Sequence, residues 1–197
     1  MTATSIAKIL KVEVGDKKSK RFISLESFLQ RYSSREDGFK YEWNNGIIEK
    51  TPRTMNRDQS LIQEAILAYF YANPTFRKHG GFIVELDMLI PGSNRTRRAD
   101  MAFLNRQQML NSKNGDLSVP EFVIEVISTH DKINEVEKKL NEYFDNGVKV
   151  VWQILPLTET VKIYTSSKDV KICRGGDICS AETVIPEFLM KAEDVFN

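Results

Sequence analysis

Two apolar runs, each with a carboxylate inside it, decide the fold of this chain: Arg97-Arg98-Ala99-Asp100-Met101-Ala102-Phe103 and Glu121-Phe122-Val123-Ile124-Glu125-Val126-Ile127. Nearly continuous apolar runs of this kind are typical of strands that are buried on both faces of a sheet. An ionised carboxylate in such a strand needs a cationic partner, a metal ion or a raised pKa. Asp100 and Glu125 are therefore the first candidate site residues.

The segments around these runs alternate between helical and extended patterns. Asn44-Asn45-Gly46 is a strong hairpin turn signal, Asn73-Pro74 ends a long amphipathic pattern, and Asn146-Gly147 ends another. Residues 105–119 are polar and read as a connection. The predicted order is a short helix at 24–32, a hairpin at 39–49, a helix at 57–73, a strand at 82–90, the Asp100 and Glu125 strands, a helix that starts within 128–131, a strand at 149–155, edge strands at 161–164 and 170–173, and a short helix from about Pro186.

This order predicts an α/β (α+β) fold, in which helices flank a mixed β-sheet and a helix and a β-hairpin lie at the N-terminal end. The Glu125 strand, the following helix and the strand at 149–155 should form a right-handed parallel crossover. Asp100 and Glu125 then fall on neighbouring strands.

Composition favours a single domain. At 197 residues with 41% hydrophobic residues, the chain can bury one sizeable core, which we assign to residues 22–197, after a flexible basic arm at 1–21. The net charge of +1 gives no long-range attraction for nucleic acid, so any such contact needs a local patch. Without a long apolar run or a secretory signal, we expect a cytoplasmic protein with no membrane contact. Cys173 and Cys179 lack the spacing of a structural zinc site.

Two carboxylates and a nearby lysine suit phosphate chemistry. Mg²⁺ and Mn²⁺ prefer oxygen ligands and are commonly held by one or two carboxylates together with substrate phosphates. Such an ion polarises a phosphoryl group and activates a bound water, and an ammonium group can stabilise the developing charge.

Helix geometry indicates which lysine could reach the site. At about 100° per residue, with Val136 as the origin, Lys139 lies near −60° and flanks the buried face, whereas Lys138 lies near 200° and points to solvent. Lys132, near −40°, is the competitor on angle alone and ranks second because it lies at the start of the predicted helix. Lys139 is the preferred candidate.

Together the motifs carry a family resemblance. They are Tyr41-Glu42 with Gly46-Ile47-Ile48, Arg98-Ala99-Asp100, Glu125-Val126-Ile127-Ser128, Lys139-Leu140-Asn141-Glu142-Tyr143, Gly147-Val148 and Val151-Trp152. Their order and spacing across residues 22–196 resemble the Uma2 family, also called DUF820, which is placed in the PD-(D/E)xK restriction-endonuclease-like superfamily. The resemblance implies a metal-dependent nuclease with Asp100 and Glu125 as metal ligands and Glu42 as a further acidic residue. It also implies Lys139 as the catalytic lysine.

The chain departs from the family pattern at several positions. The superfamily usually has its lysine two residues after the glutamate. In this chain Ile127 occupies that position after Glu125, so the resemblance implies that the lysine is displaced onto the following predicted helix, as Lys139. Ala99 and Thr129 replace prolines that would not bind metal. A histidine that the family often shows near the start of the long helix is replaced around 56–59.

Each candidate also has a structural interpretation. Asp100 and Glu125 could form buried ion pairs with Arg97, Arg98 or a lysine. Lys139 could lie along the apolar face with its ammonium in solvent, and Glu42 could face solvent. Of the remaining candidates, we expect His130 to be solvated, Glu85 to lie near the site, Ser128 to cap a helix or loop, and Tyr143 and Trp152 to belong to the core.

Three functions remain open at this point. The first is a Mg²⁺- or Mn²⁺-dependent nuclease acting on DNA, with a homodimer as the natural assembly for cutting both strands. The second is a non-catalytic nucleic-acid-binding or regulatory module that keeps the nuclease fold. The third is a metal-independent two-carboxylate hydrolase of sugars, for which the sequence offers no cleft of exposed aromatic residues.

Overall fold

The computed structural model describes residues 22–52, 57–129 and 131–197. The basic arm predicted at 1–21, the positions 53–56 and His130 lie outside the described residues. In the described part of the chain, no helix is long and apolar enough to cross a bilayer.

The N-terminal helix and hairpin form as local sequence signals dictate. Helix α1 spans Leu25–Tyr32, and the Ser24 side chain caps it by accepting a hydrogen bond from the Ser27 amide. Strands β1 (Phe39–Asn44) and β2 (Ile47–Pro52) are antiparallel, joined by Asn45 and Gly46. Both turn residues have positive φ, 47° and 90°, as a two-residue hairpin loop requires.

The remaining helices and strands follow in mixed order. They are α2 (Arg57–Ala72), α3 (Pro74–His79), β3 (Gly80–Ile90), β4 (Arg95–Asn105), α4 (Arg106–Ser112), β5 (Phe122–Val126), α5 (Ile133–Asp145), β6 (Val150–Leu155), β7 (Thr160–Tyr164), β8 (Val170–Cys173), β9 (Ile178–Ser180) and β10 (Leu189–Lys191). Single 3₁₀ turns occur at Pro91–Ser93, Pro156–Thr158 and Glu193–Val195.

The main sheet runs in the order β2-β1-β4-β5-β6-β7-β8, and β3 also pairs with β4. Strands β5 and β6 are parallel and are connected through α5, which confirms the predicted strand-helix-strand unit. All other pairings in this sheet are antiparallel. Strands β9 and β10 form a separate two-stranded ribbon. The predicted class, a mixed sheet flanked by helices, is confirmed.

A hydrophobic core lies on each face of this sheet. One contains Phe70 of α2, Phe122 of β5, Trp152 of β6 and Phe188 near the C-terminus. The other contains Leu140 and Tyr143 of α5 against β4, β5 and β6. A third cluster, built from Phe28, Tyr41 and Trp43, joins α1 to the hairpin.

Three local predictions were wrong. The C-terminal segment from Pro186 is not a helix, because Phe188 is buried in the aromatic core and the next residues pair with β9 as strand β10. The polar connection contains α4, whose N-terminus has a capping box between Asn105 and Gln108. Helix α5 begins at Ile133, which is 66% exposed rather than part of the buried face.

Candidate active site

Asp100 and Glu125 lie where the pairing between β4 and β5 ends. The last register pair of this ladder is Met101 with Ile124, so one further step brings the two carboxylates opposite each other. The Asp100 Oδ2 atom accepts a hydrogen bond of 2.8 Å from the Val126 amide, which spans the two strands. Both carboxylates line a cleft of about 280 Å³.

Helix α5 supplies two donors to Glu125. The Lys139 Nζ atom is 2.7 Å from Glu125 Oε1, and the Tyr143 hydroxyl donates a 2.5 Å hydrogen bond to the same oxygen. Lys139 also donates to the Arg98 carbonyl at 3.3 Å. Lys138 is exposed, as the helix angle predicted. Lys132 lines the cleft as well, but it is the N-cap residue of α5 and is exposed.

Lys40 is a further cation in the cleft, which sequence reasoning did not single out. Its Nζ atom lies 3.7 Å from Asp100 Oδ1. Burial alone would lower the pKa of Lys40, but the charges of Asp100, Glu125 and Glu42 outweigh it and raise this pKa, so the ammonium stays charged. Lys40 precedes Glu42 by two residues, and this period-2 spacing on one strand was the available signal.

Glu42 lies in the same cleft, with both of its oxygens engaged. One oxygen accepts a 2.9 Å hydrogen bond from Arg97 Nη1, and the other accepts a 3.0 Å hydrogen bond from the Arg98 amide. Burial would raise the pKa of Glu42, but the positive charges of Lys139, Lys40 and Arg97 and the amide hydrogen bond lower it to about 2. Glu42 is therefore ionised. These contacts favour a role in holding the hairpin against β4.

The three arginines before Asp100 are buried and paired with other acids. Arg98 forms two 2.7 Å hydrogen bonds to the Asp87 carboxylate, and Arg97 Nε donates to Glu142 at 2.7 Å. Arg95 pairs with Glu49 and with Glu142. Consequently Arg97 and Arg98 pair with other acids, whereas Asp100 and Glu125 each form an ion pair with a lysine, which the structural interpretation also allowed. Sequence reasoning did not identify Asp87 or assign Glu142 a contact.

Burial and charge oppose each other at Glu125. Desolvation raises the pKa of its carboxyl group, and Asp100 adds to the rise, while Lys139 and Lys40 act in the lowering direction and are outweighed. The pKa of Tyr143 is raised well above its usual value by burial and by Glu125, so its hydroxyl keeps its proton and donates to the carboxylate.

The other residues considered from sequence have clear positions. Glu85 lines the cleft and has a positive φ of 52° in the middle of β3, directly across from Asp100. The Ser128 amide and hydroxyl both donate to Asp131, so Ser128 shapes the loop before α5. Trp152 is fully buried in the core, as predicted.

The donor set fits a hard divalent cation. Among the described residues, no three or more His, Cys, Asp and Glu side chains are grouped as a complete metal site. Two carboxylates from adjoining strands in a solvent-reachable cleft are nevertheless the protein share of many Mg²⁺ sites, in which water and substrate phosphate complete the shell. Asp100 and Glu125 are the residues that would hold such an ion. Their assignment as ligands stays a prediction.

Comparison with known proteins agrees with this architecture. A crystal structure from Anabaena variabilis ATCC 29413, described as a "putative nuclease belonging to DUF820", superposes with a TM-score of 0.70 over 88% of this chain and 97% of that chain. The two share 18% sequence identity, a level at which the likeness establishes the fold. No curated protein matches the chain significantly. The model of the Uma2 family, described as "Putative restriction endonuclease", matches residues 25–193, and the chain therefore belongs to the Uma2 family.

Proposed function

We propose that this protein is a divalent-metal-dependent nuclease that hydrolyses phosphodiester bonds of DNA. Asp100 and Glu125 would hold Mg²⁺ or Mn²⁺, and Lys139 would assist the reaction. The observation that carries the proposal is that two carboxylates from adjoining strands line one cleft, with an ammonium group 2.7 Å from one of them. The family description as a restriction endonuclease supports a nucleic-acid substrate.

When bound, the metal ion would polarise the phosphoryl group and lower the pKa of a water molecule, which supplies the nucleophile. The chain itself contributes the placement of its charged groups. Lys139 is fixed between Glu125 and the Arg98 carbonyl, so its remaining donor capacity can be directed into the cleft. There it would orient water or stabilise negative charge that develops on the phosphate.

Neighbouring groups hold the two carboxylates in place. The Val126 amide orients Asp100, and the Tyr143 hydroxyl orients Glu125. Glu42, with its two oxygens bound by Arg97 and the Arg98 amide, would act as a positioning residue for the hairpin that forms one wall of the cleft. Preorganisation of this kind lowers the cost of assembling the reactive geometry.

A homodimer belongs to the same proposal. A dimer would supply one active site for each strand of a duplex, and its two-fold symmetry would match the approximate two-fold symmetry of duplex DNA. Sedimentation equilibrium of the full chain, with and without duplex DNA, would measure this assembly.

The first test uses Asp100→Asn, because asparagine can still accept the Val126 hydrogen bond while it removes the charge. Bound Mn²⁺ is followed by electron paramagnetic resonance, and cleavage of supercoiled plasmid is followed with Mg²⁺, with Mn²⁺ and with a chelator. We expect the wild type to bind Mn²⁺ and to cut, and Asp100→Asn to lose both. The matched control is Asp145→Asn on α5, an exposed aspartate that does not line the cleft.

Equal circular dichroism spectra for the three proteins make the comparison interpretable. Metal-independent cleavage, or equal Mn²⁺ binding by wild type and Asp100→Asn, would contradict the metal site. A wild type that binds DNA but neither binds Mn²⁺ nor cuts would indicate a non-catalytic nucleic-acid-binding module.

A further inference from the structure

Lys40 lies in the cleft, but the proposed reaction assigns it no role. Its side chain is 22% exposed, lines the cleft and lies 3.7 Å from Asp100. It belongs to β1, whereas Lys139 approaches the opposite carboxylate from α5. Two ammonium groups from two different elements therefore lie beside the two carboxylates, one at each.

The two lysines differ in how firmly they are held. Lys139 lies at hydrogen-bond distance from Glu125, 2.7 Å, and also donates to a backbone carbonyl. The contact between Lys40 and Asp100, at 3.7 Å, is an ion pair longer than a hydrogen bond. A lysine has a flexible four-carbon stem, so its ammonium can move without a change in the backbone.

A divalent cation at Asp100 and Glu125 would meet the charge of Lys40 directly. Like charges at such separations repel strongly in a partly buried site, so the cation and the ammonium compete for Asp100. Once it is displaced from Asp100, the Lys40 ammonium can pair with a substrate phosphate, which lysine binds as a point charge. Lys139, which contacts both Glu125 and the Arg98 carbonyl, is less able to make this exchange.

We infer that Lys40 is an exchangeable counter-ion of Asp100: it neutralises this carboxylate in the metal-free protein and turns to the nucleic-acid phosphate when the metal ion binds. This inference about Lys40 rests on the proposed nuclease function. The charge of Lys40 should then have two opposite effects: it weakens metal binding to the free protein, and it strengthens the contact with substrate once the metal ion is bound.

The test compares Lys40→Met with the wild type and with Lys50→Met. Methionine keeps most of the side-chain volume, and Lys50 lies on the paired strand β2 with its Nζ atom 3.5 Å from the centre of the Phe39 ring. The readouts are Mn²⁺ affinity without DNA, by electron paramagnetic resonance, and the single-turnover rate of cleavage of a duplex oligonucleotide at saturating Mn²⁺. We expect Lys40→Met to bind Mn²⁺ at least about tenfold more tightly and to cut at least about tenfold more slowly, and Lys50→Met to match the wild type in both.

The opposite directions of the two effects separate the inference from a structural role. If Lys40 only stabilised the fold, its loss would weaken metal binding and slow cleavage together. Unchanged Mn²⁺ affinity in Lys40→Met, or tighter binding with an unchanged cleavage rate, would overturn the inference and leave the proposed nuclease intact. A wild type that binds no Mn²⁺ would overturn both.

Discussion

At the scale of single residues, Lys139 is positioned by three features of its surroundings. Its stem passes beside the buried face of α5, its ammonium is 2.7 Å from Glu125, and the Arg98 carbonyl accepts a further hydrogen bond. Its neighbour Lys138 has the same side chain on the same helix but is exposed. The two lysines therefore form a matched pair for testing whether an ammonium at this point contributes to catalysis.

We predict that Lys139→Met lowers the single-turnover cleavage rate by about 100-fold or more, the usual cost of removing one preorganised donor at a developing charge. Methionine preserves most of the packing along α5. Lys138→Met should retain the wild-type rate within about twofold, since an exposed side chain loses only solvent contacts. Quenched-flow cleavage at saturating metal measures both rates. Equal rates for the two variants would rule out a catalytic part for Lys139.

Glu42 gives a prediction about pH and stability. Its pKa is lowered from 4.5 to about 2 in the folded protein. A carboxylate with a lowered pKa stabilises the fold at pH values above its unfolded pKa, and this contribution is lost as pH falls towards the folded pKa. Glu42→Gln should therefore destabilise the protein at pH 7 by about 3 kcal/mol, because Arg97 loses a buried ionic partner.

The difference in unfolding free energy between wild type and Glu42→Gln should shrink as pH falls from about 4.5 towards about 2. Urea unfolding at a series of pH values between 7 and 3 measures it. Glu64→Gln on α2, which removes an exposed carboxylate, should show little difference from wild type at any pH. A pH-independent difference for Glu42→Gln would contradict the assignment of its stabilising charge.

The local signals for site residues were uneven. Asp100 and Glu125 stood out because charged residues are rare inside apolar strands, and Lys139 because a helix angle can be calculated from sequence. Lys40 gave only a weaker signal, its period-2 spacing to Glu42 on one strand. Its partner is 60 positions away in sequence, and the pairing of β1 with β4 that brings them together has Asn44 and Arg95 as its register pair. A non-local contact of this kind is not encoded in the spacing around either residue.

At the scale of secondary-structure elements, the ladder between β3 and β4 is interrupted beside the cleft. Pairs Val84–Met101 and Leu86–Ala99 flank the interruption, and Glu85 lies between them opposite Asp100 with a φ of 52°. Positive φ is unfavourable for a residue with a Cβ atom, and strained residues tend to occur near functional sites. The regular register between β3 and β4 is therefore missing at Asp100, in the middle of β4.

The strain at Glu85 can be measured with two substitutions. Both Glu85→Gly and Glu85→Val remove the side-chain contacts of the glutamate, so their difference reports mainly on the backbone. Glycine adopts positive φ readily, whereas a β-branched side chain resists it. We predict that Glu85→Gly is more stable than Glu85→Val by about 1–2 kcal/mol in urea unfolding. Equal stability, or a more stable valine variant, would show that the left-handed conformation at this position is not retained.

Elements with strong periodic patterns were predicted well, and elements that depend on tertiary packing were not. Helices α2 and α5 carry apolar residues at helical spacing, and β5 and β6 are nearly continuous apolar runs. The C-terminal segment carries none, and its conformation follows from the burial of Phe188 and the pairing of β10 with β9. Helix α4 is short and polar, and its capping box was the one signal that could have revealed it.

At the scale of the whole molecule, the cleft depends on two packing units that meet at β4. The hairpin and α1 enclose their own small cluster around Trp43, and the larger cores lie on the two faces of the main sheet. The units are joined by the β1–β4 pairing, by a 2.7 Å hydrogen bond from the Trp43 amide to the Thr96 hydroxyl, and by the Glu42–Arg97 ion pair. Lys40 and Glu42 come from the first unit, and Asp100 and Glu125 from the second.

The assignment of residues 22–197 to one domain predicts that these units unfold together. The chain has two tryptophans, one in each unit: Trp43 in the hairpin cluster and Trp152 in the large core. In Trp152→Phe the fluorescence reports only on the hairpin, and in Trp43→Phe only on the large core. We predict that the fluorescence transition of each variant coincides with its own far-ultraviolet circular dichroism transition, as two-state unfolding requires.

Comparison within each variant removes the effect of the substitution on stability, because both probes then follow the same protein. If the hairpin fluorescence of Trp152→Phe changed at lower urea than the circular dichroism, α1 and the hairpin would be a separate cooperative unit. That outcome would contradict the single domain. It would also mean that Lys40 and Glu42 can leave the cleft while Asp100 and Glu125 stay in place, so that opening of the hairpin alone would dismantle the proposed site.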